Sequence, residues 1–311
     1  MKKIIIDCDP GHDDATAIML AYSFAKKVEL LGITTVCGNN TVENVTANAR
    51  RIVAVCGKST QVYRGASRPL INKLNVSAKY HGESGMDGPE YDANLTLPPE
   101  NPMSAIEFMR DTLVKAVEPV SIAAIGPLTN IALLLRSCPD VIEKIECISL
   151  MGGGIAHGNI TPFAEFNIYV DPEAAEIVFS SGIPIVMSGL DLTEQAVLAG
   201  GSFEHLRRGG RAGKFFCELM DFYGRSAEEF GVDGCMLHDP CALLWLIFPD
   251  IFSGRRGDVN VVLCGEQRGR TVFRENSAGT VLALQKLDLQ RFCKTIIEAI
   301  ARLDSEPRGA E

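Results

Sequence analysis

Four aspartates, Asp7, Asp9, Asp13 and Asp14, crowd the stretch Ile4-Ile5-Ile6-Asp7-Cys8-Asp9-Pro10-Gly11-His12-Asp13-Asp14-Ala15. Carboxylates packed this closely repel one another and are costly to bury. A hard cation that takes several oxygen ligands relieves that cost most simply. Helix capping explains one such aspartate, or two, but not four. Asp239, next to Pro240 at the start of an apolar helical pattern, resembles the Asp13-Asp14 turn. Asp9, Asp14 and Asp239 are therefore the acids expected to share one metal. With backbone and water oxygens they suit Ca²⁺ or Mg²⁺ better than zinc. Asp13 and Asp14 are helical neighbours whose side chains diverge by about 100°, so one can face an ion and the other a ligand.

His238, beside Asp239, is either a working group or a half-exposed cap; residue type leaves both open. His81, in Tyr80-His81-Gly82-Glu83-Ser84-Gly85, reads equally as a ligand contact or as loop packing. His12 lies within the aspartate turn and is expected only to support it. Asn39, Asn159, Glu165 and Asn167 supply three amides and one acid, which match sugar hydroxyls that both donate and accept. Taken singly, each reads more readily as a loop side chain bonded to its own backbone; together they are harder to dismiss. Gly152-Gly153-Gly154 permits close backbone approach, but it is neither a dinucleotide fingerprint nor a phosphate loop.

These residues need a frame to hold them. Apolar runs at Ile4–Ile6, Val28–Cys37, Gln61–Tyr63, Val120–Ile125, Ile145–Met151 and Ile183–Met187 read as strands. Helical spacing follows the first run (Ala17, Ile18, Leu20, Ala21, Phe24) and recurs over Asn44–Val55, where Thr41 is the candidate cap, Ser104–Val117, Thr129–Arg136 and Pro172–Ser180. Such alternation predicts an α/β fold, a mostly parallel sheet with helices on both faces. The polar motifs fall just after strands, the ligand-binding edge of such sheets. Arg64–Pro99 is a long irregular stretch of a kind that is usually functional. Beyond Phe203 the pattern is more helical: Lys214–Phe230, Cys241–Phe248 and Leu289–Leu303 read as helices. Val259–Leu263 and Arg270–Phe273 could pair as antiparallel strands, and Val281–Leu284 is a further short strand. No repeat, low-complexity tract or linker divides residues 1–311, so one domain is expected.

A net charge of −9 disfavours nucleic acid as a partner. No apolar run is long enough to span a bilayer, and the first strand leaves no room for a secretory leader. The ten cysteines contain no CxxC pair. Several lie in apolar runs, as reduced thiols of a cytoplasmic protein would.

DCDPGHDDA, CGNN, HGESGMDGP, GPLTN, LMGGG, AEFNIYVDPEA, GLDLT and LHDP, in this order along essentially the whole chain, resemble the inosine-uridine-preferring nucleoside hydrolase family. The resemblance implies a single Rossmann-like domain that binds one Ca²⁺ and hydrolyses the N-glycosidic bond of ribonucleosides. Asp9, Asp14 and Asp239 would hold the ion with the carbonyl of Ile125. Asp9 would be the general base. Asp13, Asn39, Glu165 and Asn167 would hold ribose, with Asn159 and Met151 nearby, and His238 would assist departure of the base. His81 and the segment Phe222–Met236, with Tyr223, Ser226 and Phe230, would shape the base pocket. That segment departs from the glutamine- and tyrosine-bearing helix of the pyrimidine-preferring branch, whereas DPGHDDA and MDGP lean towards it. A homodimer or homotetramer is implied. Two other readings stand beside this one. Asp7-x-Asp9 after a strand is similar to haloacid-dehalogenase-type phosphohydrolases, against which count the Asp13-Asp14 pair and the lack of an obvious phosphate-binding lysine. A non-catalytic nucleoside or ribose binder is the other, against which count Asp9 and His238.

Overall fold

Side chains alternate along the first strand, β1 (Lys2–Cys8). Ile4, Ile6 and Cys8 enter one hydrophobic core and Ile5 enters another on the opposite face. The period of two thus buries β1 on both sides, as a central parallel strand requires. The computed structural model describes residues 1–91, 95–228, 231 and 233–305.

The further strands are β2 (Val28–Thr35), β3 (Val62–Arg64), β4 (Val120–Ala124), β5 (Ile145–Met151), β6 (Ile185–Ser188), β7 (Val197–Leu198), β8 (Cys235–Met236), β9 (Phe252–Val261), β10 (Thr271–Glu275) and β11 (Val281–Leu287). Eight of these join β1 in one nine-stranded sheet in the order β10-β9-β11-β6-β5-β4-β1-β2-β3. The run from β11 to β3 is parallel throughout, and β9 and β10 close one edge antiparallel. The fold is therefore a single α/β domain with a mostly parallel sheet. From β1 the chain winds outward to β2 and β3, then returns to β4 on the other side of β1 and continues to β5 and β6. The strand order thus reverses between β1 and β4, where a crevice opens beyond the carboxyl ends.

Helices Ala105–Lys115, Thr129–Ser137 and Pro172–Phe179 cover the face that takes Ile5. Helices His12–Ser23, Arg211–Glu228, His238–Ile247 and Leu289–Ser305 cover the other. Every residue of His12–Ser23 is buried, which is why its sequence lacks a polar stripe. Thr41 caps Val42–Val55 by accepting from the Asn44 N–H at 3.4 Å.

Three features depart from the sequence reading. β9 begins at Phe252, well before Val259; Ser253, Gly254, Arg255 and Arg256 there are exposed or near-exposed edge residues without a clean apolar alternation. The antiparallel β7–β8 pair has two residues per strand, too short for any period to register. The irregular stretch contains a short helix, Ala78–His81, that ends on the candidate ligand histidine.

Candidate active site

The aspartate turn is built around Asp14. Its Oδ2 accepts from the Gly11 N–H at 2.9 Å and its Oδ1 from the Asp9 N–H at 3.1 Å, so the acid clamps its own helix start. Asn39, at the end of β2, joins the same knot. Its N–H donates to Asp9 Oδ2 at 2.7 Å, and its amide to Asp14 Oδ2 at 3.3 Å. Asp9 lies in a slot between two glycines: a Cβ on Gly38 would come 2.1 Å from Oδ2, and one on Gly126 2.7 Å from Oδ1. The glycines of CGNN and GPLTN are thus required by one carboxylate.

Oxygens of Asp13, Asp14 and Asp239 lie within 4.8 Å of one another, all buried. Asp9 stands beside this triad rather than in it. Burial, and then the neighbouring carboxylates, hold Asp9 and Asp239 well above the usual carboxylate range. The same two causes raise Asp13 to about 6, and burial raises Asp14. Among the described residues no lysine or arginine pairs with any of these four, and Asp9 Oδ1 is fully buried without a hydrogen-bond partner. An all-oxygen set short of positive charge fits a hard cation.

Asp7 is not part of this set. It points to the opposite face of β1, where its Oδ1 accepts from Asn130 Nδ2 at 2.7 Å and from Thr34 Oγ1 at 2.5 Å.

A cavity of about 560 Å³ opens over the switch point. Asp13, Asn39, Ile125 and Asp239 line it on the acid side, and Met151, Asn159, Glu165 and Asn167 on a second side. His81, Tyr223 and His238 also line it. Asp9 and Asp14, at most 1 % exposed, lie behind these residues. Ser226 lies in the helix Arg211–Glu228, but its side chain falls outside the described residues, as does Phe230.

Glu165 caps the helix Phe166–Val170, accepting from the N–H groups of Gly153, Asn167 and Ile168 at 2.9, 3.0 and 3.2 Å. Burial raises it to about 7. Asn167 donates through Nδ2 to the carbonyls of Ile125 and Met151, both at 3.1 Å, and so ties this loop to the ends of β4 and β5. Asn159 is in part the loop residue its type suggests, since its Oδ1 accepts from the Phe166 N–H at 3.0 Å. The small β7–β8 pair explains the placing of His238. The Leu237 N–H donates to the Ala196 carbonyl at 2.9 Å, and His238 Nδ1 then sits 2.8 Å from Thr193 Oγ1. Burial lowers the His238 pKa, and Asp13 opposes that shift.

Ser77, Tyr80, Ile160 and Glu194 also line the cavity and were not legible as site residues. Each lies outside the residues whose type and spacing suggested chemistry, and a single hydroxyl, apolar or acidic side chain carries no signature of its own.

A model of the inosine-uridine preferring nucleoside hydrolase family matches residues 4–294. The chain is similar to the pyrimidine-specific ribonucleoside hydrolase RihA of Salmonella typhimurium, 42% identical over 306 residues that cover 96% of this chain and 97% of that protein. The Escherichia coli protein of the same description is 44% identical over 274 residues, covering 86% and 87%. Among solved structures, the purine-preferring ribonucleoside hydrolase from Gardnerella vaginalis superposes with a TM-score of 0.90 at 33% identity, covering 97% of this chain and 99% of that one.

Proposed function

The chain belongs to the inosine-uridine preferring nucleoside hydrolase family, and on that premise we propose that it is a calcium-dependent hydrolase of pyrimidine ribonucleosides. Ribonucleoside hydrolysis, the splitting of an N-glycosyl bond into ribose and free base, is the activity of its relatives. The observation that carries the finer reading is the set of buried acids beside an amide-lined cavity, with Asp9 Oδ1 left unpartnered.

Asp9, Asp14, Asp239 and the Ile125 carbonyl are the proposed calcium ligands. Bound there, calcium would act as a Lewis acid, lowering the pKa of a water molecule and neutralising the acids. Asp9 suits the role of general base: Asn39 holds one carboxylate oxygen, and the other stays free to take a proton. Asp13, Asn39, Glu165 and Asn167 would grip the ribose hydroxyls, fixing the ring so that remote binding energy acts at the reacting carbon. Departure of the base leaves an oxocarbenium-like sugar, whose positive charge nearby carboxylates stabilise. His238, held by Thr193, would meet the leaving base.

We also propose that residues 1–311 act as one catalytic unit in a cytoplasmic homodimer or homotetramer. The ten free cysteines support a reducing compartment, and light scattering tests the assembly.

Base release from a panel of nucleosides, with and without a calcium chelator, tests the reading. Uridine and cytidine should be cleaved, and the chelator should abolish cleavage. Phosphate release from nucleotides without free base would favour the phosphohydrolase reading. Tight ribose binding without turnover would favour the binder.

A further inference from the structure

Three hydrogen bonds close a ring between the aspartate turn and the glycine-rich loop. His12 Nε2 lies 2.8 Å from the Asp87 carbonyl oxygen. His12 Nδ1 lies 3.0 Å from His81 Nδ1. The Asp87 N–H donates to the His81 carbonyl at 3.1 Å.

The positions of the hydrogens follow from what each partner can do. A carbonyl oxygen only accepts, so His12 Nε2 carries a hydrogen. His12 is fully buried, with the rings of Phe222 and Tyr223 stacked 5.2 and 5.4 Å away. Among the described residues only His157 forms an ion pair through its ring. The nearest charge, the Asp87 carboxylate, only partly offsets the burial of the ring, so a protonated His12 is disfavoured. Neutral His12 holds its one hydrogen on Nε2, and its Nδ1 is a bare acceptor. The Nδ1 of His81 must then be the donor. His81 is itself buried and unpaired with any described carboxylate, so its neutral ring leaves Nε2 without a hydrogen. That nitrogen has no partner among the described residues, and His81 lines the cavity.

We infer that His12 is a positioning residue that locks His81 with its hydrogen on Nδ1, so that His81 Nε2 meets the substrate as an acceptor and selects a nucleobase presenting an N–H. The substrate half rests on the cavity being a nucleoside site, as proposed above. The surrounding chain is built to hold this pair. A Cβ on Gly11 would come 2.5 Å from His81 Nδ1. Gly82 has φ +79°, and a Cβ there would come 2.1 Å from Asp87 Oδ2. The Asp87 carboxylate accepts from the Glu83 and Ser84 N–H groups at 2.9 and 3.1 Å, and from the Ser84 hydroxyl, fixing the loop whose carbonyl orients His12. Gly11, Gly82 and Asp87 thus serve one tautomer.

The test combines a spectroscopic and a kinetic reading on the full chain. With ¹⁵N-labelled histidine, two-bond ¹H–¹⁵N correlations should show His81 in the Nδ1–H form. His12→Phe keeps the stacked ring but removes the acceptor, and should shift His81 towards the Nε2–H form. His12→Gln offers an amide N–H to the Asp87 carbonyl and an oxygen to His81, and should restore the Nδ1–H form. In parallel, kcat/KM is compared for uridine and 3-methyluridine, which lacks the ring N–H. Wild type should favour uridine, and His12→Phe should narrow that preference by about 10- to 100-fold, the effect of one mismatched buried hydrogen bond. Finding His81 with its hydrogen on Nε2 in wild type overturns the inference. So does an unchanged uridine to 3-methyluridine ratio in His12→Phe, since a merely structural role would slow both substrates alike. If wild type releases base from no nucleoside, the proposed function and the substrate half fall together, while the tautomer is still read without substrate.

Discussion

Asp239 and Asp13 meet across 226 positions of sequence, the Asp239 N–H pointing at Asp13 Oδ2 from 3.5 Å. The fold therefore starts two buried helices, His12–Ser23 and His238–Ile247, at one point, each bringing carboxylates. Such a junction gains strength from a cation and is electrostatically unfavourable without one.

Calcium should raise the melting temperature. At a concentration about 100 times Kd, binding to the folded state alone contributes about 2.7 kcal/mol. Differential scanning fluorimetry after chelator treatment, with Ca²⁺, Mg²⁺ or Zn²⁺ added back, measures it. Ca²⁺ should give the largest rise, and Asp239→Asn should remove most of it. A melting temperature indifferent to all three ions would rule out a metal at this site.

Asp9→Asn should lower kcat by roughly 1,000-fold or more, since a catalytic base and a metal ligand are lost together. The folded structure should persist, because an amide oxygen still accepts from the Asn39 N–H. Steady-state base release and circular dichroism separate the two effects. Near-normal turnover would refute the assignment.

Asp7 should act on stability instead of turnover. Burial raises it from 3.8 to about 7, with Thr34 and Asn130 pulling the other way. The folded chain thus binds a proton that the unfolded chain has lost between those values. The contribution of the protonated carboxyl is fully present below about 4 and declines as pH rises towards 7. Asp7→Asn cannot titrate, so wild-type stability minus variant stability should fall with rising pH, by at most about 1.4 kcal/mol per unit. Urea melts of both proteins, with the metal site saturated, measure the difference. A pH-independent difference would mean that Asp7 is ionised throughout.

The sheet, its parallel sense and most of its helices were legible because buried strands and amphipathic helices leave periods in the sequence. Asp14 and Asp239 were legible as members of one acid cluster because carboxylates seldom crowd without a purpose, but Asp13 completes that cluster and Asp9 stands beside it. The role of His12 was not. Its sequence neighbours are all site residues, so it reads as part of the turn, and only the Asp87 carbonyl and the His81 ring, 75 and 69 positions away, show what it holds. The β7–β8 pairing was hidden for the reason that makes it small: two residues per strand carry no pattern, yet it sets His238 against Thr193.

Base preference is the last expectation, and the relatives pull both ways: those compared by sequence are described as pyrimidine-specific, and the superposed structure as purine-preferring. One wall of the cavity is stiff: His81 and Tyr223 stack 5.7 Å apart, and His12 stacks against both. Buried and close-packed rings of this kind do not give way readily, which should disfavour the larger purine. Uridine should therefore exceed inosine in kcat/KM. Tyr223→Ala should open the wall and narrow the ratio by roughly tenfold, the scale of one changed pocket contact. Competition assays with mixed nucleosides, read by chromatography of the released bases, measure both ratios. Inosine ahead of uridine in wild type would place this chain with the purine-preferring enzymes, and an unchanged ratio in Tyr223→Ala would move the source of selectivity elsewhere in the pocket.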